Sequence, residues 1–345
     1  VNHHPQNDRQ LSMSSRKPVP VGAAPAPATR SGTPSIALAL GGGGARGLAH
    51  IPMLEAFDEL GIRPKIIAGT SIGAIFAAAY ASGLSGREIR AHAIEVLKKR
   101  LDLVRDLYSA RVRVSGGIFE ALALRPAFLA PERLLDIILP PHIARDFDHL
   151  VTPLKIVASD FYAQEAVVFS SGPLRPAIAA SMALPVIFQP VQIDGRVLID
   201  GGLVNPLPFD LVAGEADLTV AVDASGAPVR RPGREMPKAW ETLFASNFIY
   251  ERSIIREKLR HRHPDLYIDA GTSRFQILDF LKVDEILAAA EPAKERVKAQ
   301  LARMLEAETL RPMEAIEPPS AARDLPAPRV KTRRALLRRE RTAKP

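Results

Sequence analysis

The sequence predicts an α/β protein built on parallel strands, and two observations carry that prediction. "PSIALAL" (residues 34–40) is a short apolar strand, "GLAHIPMLEAFDELGI" (47–62) an amphipathic helix, and "KIIAG" (65–69) a second strand. Leu48, Ile51, Leu54 and Phe57 recur at helical spacing between the strands, and Gly61 ends the helix. Two strands joined by a crossover helix make a right-handed βαβ unit with parallel strands. The second observation is that strands return after residue 151 and again alternate with helices.

Each later element has its own signal. "TSIGAIFAAAYASG" (70–83) starts a helix directly after the second strand. The charged stretches "GREIRAHAIEVLKKRLDLVRDL" (86–107) and "APERLLDIILP" (130–140) read as helices. The segment between them, 108–129, admits two readings, a mobile cover over a site or a loop between packed helices. "PLKIVASDF" and "EAVVFSSG" are strands that can pair, and "LRPAIAASMAL" is a helix. "VQIDGRVLIDGG" reads as a hairpin turning at Asp194-Gly195, "DLTVAVDAS" as a buried strand, and "DLYIDA" as one more. In the helix that starts at Val283, Pro292 predicts a kink or a break.

At 345 residues the chain can bury a large core, and its apolar fraction of 47% is ordinary for a folded protein. The absence of cysteine excludes disulfides, thiolate metal sites and a cysteine nucleophile. Residues 1–34, rich in Pro, Ala, Ser and Arg, read as a disordered leader without a secretion signal, and Met13 is an alternative start. Ile66–Leu84 is uncharged and nearly long enough for a bilayer, but Gly69, Thr70, Ser71 and Gly73 punctuate it as strand, turn and helix. Of the net charge of +8, the stretch from Arg329 onward holds eight Lys or Arg against one Glu. The body is therefore close to neutral, and no nucleic-acid partner is expected. The basic end reads as a solvated tail or, more sharply, as a tether to anionic lipid or nucleic acid.

Three motifs carry chemistry. "GTSIG", Gly69 to Gly73, is a G-x-S-x-G elbow between strand and helix, which projects Ser71 at a helix N-terminus where negative charge is favoured. The alternative is an ordinary N-cap serine. "IDGG" puts Asp200 at a strand end, within the range of uses from general base to turn starter. "GGGGARG", Gly41 to Gly47, is a glycine loop after the first strand. A dinucleotide reading through Gly42, Gly44 and Gly47 requires an acid at the end of the second strand, and that strand ends in Ser71 instead. Loop and elbow then share one end of two parallel strands, with the loop amides aimed above Ser71 and Arg46 adding positive charge. A triad through His261 or His263 fits the chain order, although both lie in a basic run typical of a solvated helix end. His50 is placed to line the site or simply to pack.

Together these residues resemble the patatin-like phospholipase family, over roughly residues 35 to 225. Its oxyanion loop matches Gly41 to Gly47, its elbow Gly69 to Gly73, and its D-G-[GA] motif Asp200, Gly201 and Gly202. "AASMALPVIFQP" and "VASDFYAQEAVVF" add to the likeness, while Pro52 on the first helix departs from it. The resemblance implies a three-layer α/β/α fold with a central, mostly parallel sheet. It further implies a Ser71–Asp200 dyad without histidine, oxyanion donors at Gly42, Gly43 and Gly44 assisted by Arg46, and no metal or cofactor. The expected domain is 35–225 with a helical insert at 85–150, then a helical extension over 226–310 that packs on it, and a disordered basic tail over 311–345. The expected substrate is a phospholipid or other acyl-ester lipid, met by a cytoplasmic protein with peripheral contact at the inner membrane face. The rival readings are a Ser-His-Asp esterase or thioesterase of the α/β-hydrolase kind, and a non-catalytic regulator that kept the fold.

Overall fold

The structure, a computed structural model, describes residues 33–99, 130–226, 236 and 239–309. These belong to one compact unit, Ser31–Thr309. The leader up to residue 32, the predicted cover at 108–129 and the basic tail lie outside the described residues.

Five parallel strands form the centre of the sheet. These are β1 (Ile36–Leu40), β2 (Ile66–Thr70), β3 (Leu154–Asp160), β7 (Leu218–Asp223) and β8 (Leu266–Asp269), in the order β3-β2-β1-β7-β8. Three antiparallel strands complete it: β4 (Ala166–Phe169), β5 (Val191–Ile193) and β6 (Arg196–Asp200). The β5–β6 hairpin turns at Asp194-Gly195, both with positive φ (50° and 77°), as a tight two-residue turn requires. β8 arises from the stretch after residue 226, so that stretch supplies part of the sheet itself.

β1 and β2 are buried on both faces, as strands of a helix-covered parallel sheet are. Ile36, Leu38 and Leu40 point to one core, shared with α1 (His50–Glu59), α2 (Ile72–Ala81), α5 (Leu174–Ser181) and α7 (Val283–Thr309). Ala37 and Ala39 point to the other, closed by Leu207, Phe209 and Ile255 of α6 (Ala239–His261). The result is three layers. Between α2 and α5, α3 (Gly86–Lys99) and α4 (Pro131–Ile138) cover the first face further.

Of the kink or break that the sequence predicts at Pro292, the break does not occur: α7 runs through it as one helix. The proline removes one backbone hydrogen bond from the helix. Two residues on, Lys294 is 8% exposed and lies 3.2 Å from Glu55 and 2.6 Å from Glu59 of α1. Pro52 sits in the first turn of α1, where its missing N–H is tolerated. The uncharged stretch Ile66–Leu84 is β2, Ser71 and α2. No helix among the described residues is long and apolar enough to cross a membrane.

Candidate active site

β3 explains how Ser71 and Asp200 meet. It carries β4 along one edge. Along the other edge it carries β2 and then β6, since Thr70 pairs with Val157 and Asp200 with the next residue, Ala158. The C-terminal ends of β2 and β6 therefore converge head-on at one level of the sheet. The Ser71 hydroxyl donates to Asp200 Oδ2 at 2.7 Å.

Ser71 has φ 56° and ψ −124°, a conformation that a residue with a Cβ adopts at a cost of about 1–3 kcal/mol. Its side chain makes no capping bond to α2, so the N-cap alternative does not describe it. The elbow is held from behind, because the Ser71 N–H donates to Ser181 Oγ at 2.9 Å and Thr70 Oγ1 to the Asn205 carbonyl at 2.8 Å. A Cβ on Gly73 would lie 2.2 Å from the Leu40 carbonyl oxygen, so α2 can start against the glycine loop only with glycine there. Gly69 is equally confined, against Ala74.

Asp200 is buried at 3% exposure. Its Oδ1 accepts from the Gly202 N–H at 2.7 Å, and its carbonyl accepts from Ser159 Oγ at 2.7 Å. Gly201 lets this turn press on the Val157 carbonyl. Burial raises the Asp200 pKa to about 6, against the two hydrogen bonds that favour its charged form.

The glycine loop departs from expectation at one position. The Gly42 N–H donates to the Pro206 carbonyl at 2.9 Å, which removes it from the expected set of oxyanion donors. Gly41 is likewise bound, to the Val222 carbonyl at 3.0 Å. Among the described residues nothing accepts from the Gly43 or Gly44 N–H, and both glycines line a cavity together with Ser71 and Asp200. Gly44 has φ 57°, and a Cβ there would meet Ile277 at 2.2 Å. Gly47 fits against Ile72 at the foot of α2.

Arg46 is not among the residues lining that cavity. It is 3% exposed, its Nε donates to the Gly43 carbonyl at 3.3 Å, and its guanidinium lies 4.5 Å from the Phe248 ring centre. A trans peptide points its C=O and the following N–H in opposite directions. Arg46, holding the Gly43 carbonyl, thus turns the Gly44 N–H to the opposite side. Burial lowers its pKa to about 10.

The histidines stand apart from this arrangement. His50 is fully buried and holds the Gly41 carbonyl at 2.8 Å. A carbonyl only accepts, so Nε2 carries the proton, and burial lowers the pKa to about 4, which keeps the ring neutral. His261 is exposed and bonded to Glu257 at 2.9 Å, and His263 is exposed. Neither is bonded to Ser71 or Asp200.

The remaining cavity walls are apolar, with Ile75, Leu97, Leu134, Met182, Phe188 and Phe280 among them. Two further lining residues, Phe248 and Glu251, come from α6 and were not legible as site residues. Ser181 was also missed. Its only signal is a lone hydroxyl in the apolar helix "LRPAIAASMAL".

The chain is similar to several known proteins. An uncharacterized NTE family protein of Mycobacterium tuberculosis is 38% identical over 188 residues, covering 54% of this chain and 48% of that protein. The human patatin-like phospholipase domain-containing protein 6 is 34% identical over 190 residues, covering 53% of this chain and 13% of that protein. The matched segment thus spans about half the length of the mycobacterial relative. Among solved structures, human GIVD cytosolic phospholipase A2 superposes with a TM-score of 0.46 at 12% identity, covering 81% of this chain and 60% of that one. The sequence profile of the family described as patatin-like phospholipase matches residues 38–213, just over half of the chain, and the chain belongs to that family.

Proposed function

We propose that the protein is a serine hydrolase that cleaves acyl esters of phospholipids or related lipids through Ser71 and Asp200. The observation that carries this reading is the 2.7 Å hydrogen bond from a strained serine to a buried carboxylate, both lining an apolar cavity. Asp200 accepts the Ser71 proton as Oγ attacks the ester carbonyl. The oxyanion is held by the Gly43 and Gly44 N–H groups, the latter turned by the hold of Arg46 on the Gly43 carbonyl. Asp200 then returns the proton to the leaving alcohol, and an acyl group remains on Ser71. A water that gives its proton to Asp200 attacks the acyl carbonyl, and the proton passes to Ser71 as the acid departs. The apolar walls suit a fatty acyl chain. Contact with lipid is peripheral on this reading, and the basic tail adds attraction to anionic headgroups.

A fluorophosphonate bearing an alkyl chain tests the assignment. The adduct is expected on Ser71 alone, and a panel of phospholipids, lysophospholipids and monoacylglycerols should be hydrolysed by the wild type but not by Ser71→Ala. Labelling at another residue, or full activity in Ser71→Ala, would overturn the reading. Loss of activity on combined His261→Ala and His263→Ala would favour a triad in its place.

A further inference from the structure

α6 brings a second buried carboxyl to the site. Glu251 is 5% exposed and lines the same cavity as Ser71 and Asp200. Its Oε1 lies 2.8 Å, and Asp200 Oδ1 3.1 Å, from the point where a Cβ on Gly202 would stand. The two carboxyl oxygens are therefore within about 6 Å of each other, with only a glycine between them. Two buried carboxylates this close oppose each other's ionisation, so the one with less hydrogen-bond support is the one that favours keeping a proton.

The hydrogen bonds say which one. Asp200 accepts from the Ser71 hydroxyl and the Gly202 N–H, both of which favour its charged form. Glu251 Oε2 is buried without a partner among the described residues, an expensive position for a charged oxygen. The groups that face Glu251 are Arg46 from the glycine loop, Asp200 from β6 and Asp223 from β7, while Arg252 on its own helix acts against Arg46. Burial and the charge of Asp200 hold the Glu251 carboxyl well above the usual carboxylate range, against the pull of Arg46.

Building on the Ser71–Asp200 reading above, we propose that Glu251 is a positioning residue of the ester site: the proton-bearing partner of Asp200. Its neutral carboxyl keeps a single negative charge beside Ser71 and leaves the Arg46 guanidinium to the Gly43 carbonyl. When Glu251 ionises, it draws Arg46 toward itself and sets a second negative charge next to the place where the oxyanion must form. The rate then falls. This gives the site an alkaline limit set by a residue that lies outside the segment matched by the family profile.

The test is the pH profile of kcat/KM for wild type, Glu251→Gln and Glu251→Ala, with 13C NMR of the side-chain carboxyls of the wild-type protein. Glutamine imitates the neutral acid, so Glu251→Gln should keep kcat/KM within about threefold at pH 7 and lose the alkaline fall, while Glu251→Ala loses at least about tenfold. The Glu251 carboxyl carbon should stay protonated through pH 7. An alkaline fall that persists unchanged in Glu251→Gln overturns the proposal, and so does a Glu251 carbon that titrates in the ordinary range near 4. The resonance does not depend on turnover. If the wild type hydrolyses no ester, the functional reading fails, and the NMR titration still decides the protonation of Glu251.

Discussion

Gly43, Gly44, Ser71 and Asp200 stand at or just beyond the ends of β1, β2 and β6, where backbone contacts leave few residue types acceptable. Phe248 and Glu251 reach the same cavity from α6, a 23-residue helix without a glycine. The strand-end part is fixed by close approach of main chain to main chain. The α6 part is fixed from a distance: Lys258 Nζ donates to Asn205 Oδ1 at 2.5 Å and to the Leu207 carbonyl at 2.8 Å, tying the helix to the turn that follows Asp200. The lesson is that one part of the site is specified by local sterics and the other by long-range docking, and the two should fail differently when altered.

The sharpest break in that comparison is Asp200→Asn. It keeps the shape of the strand-end part and removes the proton acceptor, so kcat should fall by about 10⁴-fold with little change in melting temperature. The same group sets the acid side of the wild-type profile. The Asp200 pKa is raised to about 6 by burial, the active form is the ionised one, and kcat/KM should therefore fall as pH drops through about 6. A profile flat down to pH 5 would contradict that role. Gly43→Ala comes next. Its methyl would stand 2.3 Å from the Ala224 carbonyl oxygen, the loop must shift, and kcat should drop by about 10²-fold, more than KM changes. The smallest effect lies away from both parts. Pro292→Ala restores one helix bond at an exposed position, which should raise stability by about 1–3 kcal/mol in denaturant melts and leave kcat/KM unchanged.

The same division explains what could be read from the sequence. A glycine between strand and helix is demanded by neighbours a few residues away or on the adjacent strand, so the elbow, the loop and the Asp194-Gly195 turn were all visible. Even there, the loss of the Gly42 amide was hidden, because its acceptor, Pro206, lies far along the chain. Glu251 had no local signal: a charged residue on a mixed helix looks like any solvated one until the helix is docked. Pro292 shows how a local rule can leave two outcomes open. The local rule predicts a kink or a break, and the helix is unbroken where Lys294, two residues on, pairs with Glu55 and Glu59 and α7 packs on the core.

The head-on meeting of β2 and β6 on one edge of β3 turns a chemical distance into a matter of counting. Nothing flexible measures the gap between Ser71 and Asp200; the rungs of the ladder do, with Thr70 opposite Val157 and Asp200 opposite Ala158. Deleting one residue from β6 would put Gly201 on the rung of Asp200 and turn every side chain of the strand to the other face. Extra residues at the Asp194-Gly195 turn would lengthen the hairpin and leave those rungs alone. The fold thus leaves the β5–β6 tip open to variation in length and makes the stretch from Arg196 to Asp200 intolerant of a single insertion or deletion.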